Sequence, residues 1–496
     1  MSGFILDRPA LYVDGGWLEP AEGVTESIIN PATELSIATV AVGGEKEVDA
    51  AIAAARRAFD EGPWPQMSMA ERCDAMQRFH DLLAARADEL EDLVIAEIGS
   101  AKAIARRMHV DTPLDILQTC IDLGRQRESW QTLPPRLVPN RHGDGTTLGA
   151  VVKVREPIGV VSAITPFNFP FFLNIAKVAP AMVVGCTMVL KPSPLTPLQA
   201  LLLGDIATEA GLPKGVLNVV TGGVEVGEQL TTDERVDLVT FTGSDIVGAA
   251  VMGQAAPSLK KVLLELGGKS AMIVMPDADV GAAAAEGVRQ IIIQAGQGCA
   301  LWTRHIVHRS IRDDYLDAAR AVLQRIKVGD PSQPDTMVGP LIREAQRDRV
   351  ERYVAEGIAD GATVAVGGKR PDGLDTGWFY EPTLLAGVTA KMSVAQDEIF
   401  GPVGVVLDFD TPEEAVAIAN DSRYGLSGGI WSGDPGGAFQ LALQLRTGAV
   451  SINGGDGGFD ARVPFGGYKR SGIGREFGQE GLDEYCELKA IKFHAG

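Results

Sequence analysis

The sequence predicts an α/β fold in which parallel sheets are covered by helices on both faces. Segments of helix length separate five apolar, strand-like runs, at 158–164, 186–191, 216–220, 236–241 and 261–266. Strands that are buried on both faces in this way are typical of parallel sheets. A second alternating series follows from 270 to 326, and 496 residues exceed the length at which one core stops growing. We therefore expect two α/β domains.

Helical periodicity dominates the part of the chain that precedes these strands. In 45–59, apolar side chains recur at spacings of four, three and four, which places them on one face of a helix. Ser68 and Glu71 have the spacing of a capping box, and we expect the helix that follows to continue through Val94. A third helical stretch covers about 101–128.

Residues 131–155 have a different pattern, because a proline-rich stretch leads into the β-branched run TTLGAVVKVRE. We interpret this segment as a β-hairpin arm. It can pair with another subunit or join the local sheet, and the pattern does not choose between the two. The C-terminal run CELKAIKF at 486–493 is a further candidate strand.

Charge and cysteine usage restrict the class of protein. A net charge of −20 and a pI near 4.8 repel phosphate backbones and anionic lipid, so we expect neither nucleic acid nor membrane as a partner. The five cysteines form no CxxC pair, and His305 and His308 alternate across a predicted strand, so no metal site is expected. The sequence also shows no export signal or long apolar run, and we expect a cytoplasmic protein.

A carboxylate and a thiol stand out in two glycine-rich stretches. Glu265 lies in LELGGKS and Cys299 in GQGC. A thiol is only a few per cent ionised at neutral pH, and a nearby carboxylate can move protons around it. The alternative is a structural cysteine in a turn, which is common in proteins.

Glycines that open predicted helices are candidate phosphate sites. No GxGxxG is present, but Gly223 and Gly227 follow one strand, and Gly243 with Ser244 opens the next helix. Backbone N–H groups at helix N-termini attract phosphate. Taken alone, such glycines equally well serve as turns.

Seven motifs extend over most of the chain. They are TPFNFP at 165–170, KPSP at 191–194, FTGS at 241–244, LELGGK at 264–269, GQGC at 296–299, EIFGP at 398–402 and PFGGYKRSGIGRE at 464–476. In content, order and spacing they resemble those of the NAD(P)-dependent aldehyde dehydrogenase superfamily.

The resemblance implies a fold and a set of domain boundaries. The fold would be aldehyde dehydrogenase-like, with a Rossmann-type parallel-sheet cofactor domain, an α/β catalytic domain and a β oligomerisation arm. On this basis we expect residues 1–130 and 156–266 to form the cofactor domain and 267–462 the catalytic domain. Residues 131–155 and 477–496 would form the arm, which predicts a homodimer or homotetramer.

The resemblance also implies catalytic roles. Cys299 would attack the aldehyde to give a thiohemiacetal, and Asn168 with the Cys299 N–H would donate to the oxyanion. After hydride transfer to the nicotinamide, Glu265 would activate the water that hydrolyses the resulting thioester. Lys177 and Glu476 match positions that support proton relay.

Cofactor residues are implied in the same way. Lys191 would bind a ribose, Glu398 would hold the nicotinamide ribose with Phe400 packed beside it, and Gly243 with Ser244 would face the pyrophosphate. The remaining matches are Thr165, Pro166, Phe167, Ser193, Pro194, Gly223, Gly227, Val247 and Leu266. Relatives commonly carry an acid at Pro194 that disfavours a 2′-phosphate, so we expect NAD, with NADP possible.

A wide substrate tunnel is the last expectation from the resemblance. Ala176 stands where many relatives carry an aromatic ring, and the loop 452–464 is rich in glycine. This predicts bulky or aromatic aldehydes, although ordinary packing explains the same residues equally well. Arg462 and Asp456 are alternatives that would read a charged substrate tail. The expected lining residues are Phe169, Phe172, Trp302 and Phe459.

The expected reaction is oxidation of an aldehyde to a free carboxylic acid. A CoA-acylating relative usually lacks the general base, which Glu265 supplies here. A thiol esterase would not need the cofactor motifs. A non-catalytic binding protein on the same fold would be expected to have lost Cys299 or Glu265.

Overall fold

The computed structural model describes residues 10–140, 144–455 and 459–494. Helices and strands alternate through most of these residues, as expected. The strands are β1 (Leu11–Val13), β2 (Gly16–Leu18), β3 (Thr25–Ile29), β4 (Ser36–Ala41), β5 (Trp130–Pro139), β6 (Thr146–Pro157), β7 (Val160–Ile164), β8 (Thr187–Lys191), β9 (Leu217–Val219), β10 (Leu238–Thr242), β11 (Lys261–Glu265), β12 (Ala271–Val274), β13 (Arg304–His308), β14 (Thr363–Val366), β15 (Thr383–Ala386), β16 (Val403–Phe409), β17 (Gly428–Trp431), β18 (Ser451–Ile452), β19 (Gly472–Ile473) and β20 (Cys486–His494).

The helices lie between these strands and cover the sheets. They are α1 (Glu45–Asp60), α2 (Met69–Ala85), α3 (Ala87–Ile98), α4 (Lys102–Arg106), α5 (Thr112–Gln126), α6 (Pro170–Val184), α7 (Leu198–Glu209), α8 (Val224–Thr232), α9 (Asp245–Ala255), α10 (Val280–Ile292), α11 (Arg312–Leu323), α12 (Glu344–Ala359), α13 (Ser393–Gln396), α14 (Pro412–Asn420), α15 (Pro435–Ala442) and α16 (Gly478–Glu484). In the described residues no helix is both long and apolar enough to cross a membrane.

The first large sheet has the strand order β19-β11-β10-β7-β8-β9-β1-β2. Its five central strands, β11 to β9 in this order, are parallel, and antiparallel strands close both edges. The second sheet has the order β14-β15-β16-β13-β12-β17-β18 and is parallel except for the pair β14–β15. Both series of strands predicted from hydrophobic alternation therefore form parallel sheets.

The helical N-terminal part differs from the prediction in one place. Ser68 and Glu71 form the expected capping box, but the helix ends at Ala85 and does not continue to Val94. Arg86 has φ −106° and ψ 19°, which is not helical, and α3 begins immediately after it. The third helical stretch is interrupted by a π-helical turn at Arg107–Asp111 between α4 and α5.

The predicted hairpin is part of a separate antiparallel sheet. Strand β6 pairs with β5 on one side and with β20 on the other, with Cys486 opposite Pro157. Within this chain the segment therefore joins neither of the two large sheets, and its pairing with another subunit stays a prediction. A short two-stranded sheet, β3–β4, lies near the start of the chain.

The chain returns to the first sheet near its C-terminus. Strand β19 pairs antiparallel with β11, so that Gly472 lies opposite Glu265 and Ile473 opposite Leu264. The segment 465–476 is thereby brought to the carboxyl end of β11. In parallel sheets this is the edge at which ligands bind.

Candidate active site

Glu265 is the last residue of β11 and is almost completely buried, with 3% of its surface exposed. Neither carboxyl oxygen has a hydrogen-bond partner among the described residues. Burial raises the pKa of Glu265 well above its usual range, Glu476 raises it further, and the charge of Lys177 opposes both. A carboxylate with a raised pKa is suited to accept a proton near neutral pH.

Lys177 and Glu476 form a buried ion pair beside Glu265. The Lys177 Nζ donates to Glu476 Oε1 at 2.8 Å and to the Thr240 hydroxyl at 2.9 Å. Both side chains are buried, with 0% and 2% exposure. The pair connects α6 to the segment that β19 brings back, and it places one positive charge among two carboxyl groups.

Cys299 lies at the end of a strained loop that follows α10. Gln294 and Ala295 have φ values of 48° and 51°, a region that costs a non-glycine residue roughly 1 kcal/mol or more. Cys299 is half-buried as a residue, whereas Cys73, Cys120 and Cys186 are buried. Its surroundings raise the pKa of Cys299, through burial first and then through Glu398 and Glu265. The free thiol therefore holds its proton, so a nearby base is needed to form the thiolate.

Close backbone contacts join the two sheets at this point. A Cβ on Gly268 would lie 2.3 Å from the Cys299 carbonyl oxygen, so only glycine fits. The Asn168 Nδ2 donates to the Gln297 carbonyl at 2.8 Å, and the Asn168 Oδ1 has no partner in the described chain. The structure therefore brings together Cys299, Glu265 and Asn168, as well as Lys177 and Glu476.

Lys191 ends β8 in an unusual environment for a lysine. It is 6% exposed, and within the described residues its Nζ donates one hydrogen bond, to the Pro192 carbonyl at 3.4 Å. Burial lowers the pKa of Lys191 to about 8. A Cβ on Gly227 of α8 would come within 3.8 Å of the Lys191 Cε, so α8 borders the space beside the ammonium group. Such a cation is poised to bind hydroxyl or phosphate oxygens.

Glu398 and Phe400 lie in the segment that contacts Gly267 and Gly268. Glu398 Oε1 accepts the Gly268 N–H at 3.1 Å, and burial raises the pKa of Glu398 to about 7. The Phe400 ring meets Phe167 edge to face, with centroids 5.8 Å apart.

The other predicted cofactor residues lie at the carboxyl ends of the first-sheet strands or in the turns and helices that follow. The Ser244 hydroxyl accepts the Val247 N–H and caps α9, and Val247 is 47% exposed. The Leu266 N–H donates to the Ser471 carbonyl at 2.9 Å. Gly223 precedes α8 and Gly243 precedes Ser244, while Thr165 and Pro166 follow β7, and Ser193 and Pro194 follow β8.

Three of the four predicted substrate residues form an aromatic cluster. Phe172 contacts Phe169 and Phe459 edge to face, with ring centroids 6.3 Å and 5.4 Å apart. Phe477 joins the cluster through both Phe172 and Phe459. Trp302 lies instead in the core of the second sheet, where its indole N–H donates to Ser427.

Ala176 and Arg462, which are expected at the substrate tunnel, have surroundings that differ from the prediction. Ala176 is 1% exposed and packs in the hydrophobic core, so it does not itself open space to solvent. Arg462 binds Asp460, with one guanidinium nitrogen 2.6 Å from a carboxylate oxygen, and Asp456 lies outside the described residues.

His305 is buried and hydrogen-bonded to the Tyr315 hydroxyl, and the described residues contain no cluster of His, Cys, Asp or Glu able to hold a metal ion.

Sequence reasoning missed several contributors to the site. Phe477 has φ 63° and follows Glu476, and no periodic pattern marks it. Thr240 lies in the apolar strand β10, whose sequence predicts only a place in the core. Gln297 contributes its backbone carbonyl, and the sequence carries no signal for a backbone group. The only sequence signal for Gln297 is its position as the second residue of the GQGC motif.

Together, the fold and these side chains define an α/β enzyme with its candidate site where two parallel sheets meet. A sequence model of the aldehyde dehydrogenase family matches residues 17–491. The 3-succinoylsemialdehyde-pyridine dehydrogenase of a Pseudomonas species is 40% identical over 492 residues, which cover 99% of each chain.

Solved structures give the same result. The Mycobacterium tuberculosis aldehyde dehydrogenase complexed with NAD+ has a TM-score of 0.92 and 42% identity, covering 99% of this chain and 98% of that one. A mutant of aldehyde dehydrogenase C from Pseudomonas syringae, complexed with NAD+ and octanal, has a TM-score of 0.92 and 40% identity, covering 98% and 96%. The chain therefore belongs to the aldehyde dehydrogenase family, which confirms the predicted family and fold class.

The ion pair gives a prediction about stability. Lys177→Met leaves Glu476 as an uncompensated buried charge beside Glu265, and we expect the free energy of unfolding to fall by about 3–5 kcal/mol in urea denaturation. The control is Lys177→Met with Glu476→Gln, which removes both charges and should recover part of this loss. Equal losses in the single and the double variant would contradict the argument.

Proposed function

We propose that the protein oxidises an aldehyde to a carboxylic acid with Cys299 as the nucleophile and Glu265 as the general base. The observation that carries this proposal is the approach of the two sheets. There lie Cys299, which is half-buried, and Glu265, a buried carboxylate without a hydrogen-bond partner in the described residues, and the charge of Glu265 raises the pKa of Cys299. Proton transfer between such groups is the chemistry that a thiol nucleophile needs.

Each side chain then has a defined part in the reaction. The Cys299 thiol gives its proton to Glu265 and its sulfur bonds to the aldehyde carbon, forming a thiohemiacetal. The second N–H of the Asn168 carboxamide is available to the oxyanion, since the first donates to Gln297. Glu265 releases this proton towards solvent before the next step. After oxidation to a thioester, Glu265, again a carboxylate, takes a proton from the water that attacks it, and the carbon–sulfur bond breaks to release the carboxylic acid and Cys299. Lys177 and Glu476 then pass that proton towards solvent.

The cofactor is NAD+, as in the similar structures that hold it. NAD+ supplies the oxidation by accepting a hydride. The residues present fit it, because Lys191 is a buried cation with one long hydrogen bond, and α8 and α9 begin with their N–H groups at the same edge of the sheet. Lys191 would bind ribose hydroxyls, Ser244 and Gly243 the pyrophosphate, and Glu398 the second ribose.

Cysteine and glutamate substitutions test this proposal. We expect Cys299→Ala to abolish NADH formation from any aldehyde, measured by absorbance at 340 nm. Glu265→Gln should slow both the first turnover and the steady state by roughly 10² or more each, because Glu265 accepts the thiol proton as well as the proton of the attacking water. Added coenzyme A should not accelerate the wild type. Unchanged turnover in Cys299→Ala would refute the nucleophile, and acceleration by coenzyme A would favour the CoA-acylating alternative.

Pro194 gives a prediction about cofactor choice. It offers no carboxylate to repel a 2′-phosphate, so we propose that NAD is preferred while NADP is accepted. We expect kcat/KM with NAD to exceed that with NADP. Pro194→Glu should widen this ratio by at least about tenfold, because a like charge would face the 2′-phosphate. A wild type that prefers NADP would contradict the proposal.

The phenyl rings support an aromatic or otherwise bulky substrate. Phe169, Phe172, Phe459 and Phe477 form a continuous apolar wall, and Phe459 is 44% exposed at its outer end. The 40% identical relative is named for a pyridine-bearing semialdehyde. Flat rings can stack edge to face on such a wall.

A panel of aldehydes tests the substrate class. We expect kcat/KM for benzaldehyde or phenylacetaldehyde to exceed that for propanal by about tenfold or more. Phe459→Ala should reduce the aromatic values more than the propanal value. Phe439→Ala, at an exposed phenyl ring on α15, is the matched control and should change neither. If propanal proves the better substrate, the aromatic proposal is wrong.

We also propose that the protein is a homodimer or homotetramer in the cytoplasm. The three-stranded sheet carries apolar side chains exposed to between 54% and 72%, namely Trp130, Leu137, Leu488 and Phe493. Exposed apolar groups of this kind mark interfaces. All five cysteines are free thiols, which suits a reducing compartment. Light scattering should give two or four times the 52.5 kDa mass of one chain. A mass equal to that of one chain would contradict the proposed assembly.

A further inference from the structure

His109 is a buried polar side chain that the proposed reaction does not use. It is 0% exposed, and neither ring nitrogen has a hydrogen-bond partner among the described residues. Burial lowers the pKa of His109 to about 3, and the Gln294 carboxamide opposes this shift. The imidazole is therefore neutral at any pH near neutrality and is neither an acid nor a base in the reaction. A buried polar group left in this state calls for an explanation.

The face of the His109 ring lies flat on Phe169. The two ring centroids are 4.5 Å apart and the ring planes differ by 5°. Phe169 directly follows Asn168 and is the residue before α6, so the stack holds the short turn that carries the Asn168 carboxamide. His109 itself belongs to the π-helical turn Arg107–Asp111, a distortion that is frequent at functional sites.

The ring also lies near the loop that carries the cysteine. Gln294, whose carboxamide interacts with the ring, has φ 48° and lies five residues before Cys299. The Gln294 carbonyl accepts the Gln297 N–H at 3.0 Å. The Gln297 carbonyl in turn accepts the Asn168 Nδ2 at 2.8 Å.

One series of contacts thus runs from His109 through its stack on Phe169, the neighbouring Asn168 and Gln297 to Gln294. We propose that His109 is a positioning residue, which holds the Asn168 turn and the cysteine loop in register through its stack on Phe169. Asn168 then presents its free N–H beside Cys299 in each turnover. The stacked face is the acting part, because neither ring nitrogen has a hydrogen bond to any residue that the structure describes. This inference rests on the proposed role of Asn168.

Two substitutions separate stacking from the other properties of the ring. His109→Leu keeps apolar volume without an aromatic face, and we expect kcat to fall by at least about tenfold, because a displaced oxyanion donor loses much of its effect. KM for NAD+ should remain within twofold. His109→Phe keeps the stack without ring nitrogens and should restore kcat to within twofold of the wild type. A similar fall in both variants would overturn the proposal.

A double-variant cycle with Asn168→Ala distinguishes positioning from general loss of structure. If His109 acts through Asn168, His109→Leu should have no further effect on kcat in the Asn168→Ala background. Additive losses would overturn the proposal. If His109→Leu does not fold, His109→Gln, which also lacks the stack, replaces it with the same expectations.

The wild type and Asn168→Ala also separate this inference from the proposed function. An Asn168→Ala variant as active as the wild type would refute the role of Asn168 itself. An inactive Asn168→Ala variant, together with a fully active His109→Leu variant, would refute only the role of His109.

Discussion

The arrangement of the site depends on one buried ion pair. Lys177 comes from α6 and Glu476 from the segment that returns with β19, and their 2.8 Å contact closes the carboxyl end of β11. Burying two charges is costly unless each is paired and hydrogen-bonded, and Thr240 supplies part of that hydrogen bonding. With Lys177 engaged in this way, Glu265 keeps a carboxyl group that is buried, without a hydrogen-bond partner in the described residues, and raised in pKa.

Three glycines allow the segments of the site to approach one another. A Cβ on Gly268 would meet the Cys299 carbonyl at 2.3 Å, and one on Gly296 would meet the Gly401 backbone at 2.1 Å. A Cβ on Gly466 would lie 2.8 Å from Glu265 Oε1. Because these contacts join the first sheet, the cysteine loop and the returning C-terminal segment, a larger side chain would displace the reacting groups. The motifs LELGGK, GQGC and PFGGYK therefore contain glycine for reasons of contact rather than of turn formation alone.

The aromatic rings form a second continuous feature, which begins next to Asn168. From the buried His109, contacts run through Phe169 and Phe172 to the half-exposed Phe459, with Phe477 packed across them. Under the proposals above, the inner end of this series positions the oxyanion donor and the outer end binds substrate. The same rings would thus connect substrate shape to the rate of the chemical step.

By itself the sequence determined the class of fold and the principal candidates for the site. Hydrophobic alternation is a local property, and it located both parallel series of strands, while the motifs singled out Glu265, Cys299 and Asn168. Only the tertiary structure decided which groups surround them, because contacts such as Lys177 with Glu476 join residues 299 positions apart. It also ended the second helix at Ala85 and placed Trp302 in the core rather than among the phenyl rings. The partnership of His109, Phe169 and Gln294 has no sequence signal, since stacking depends on how three separate segments pack.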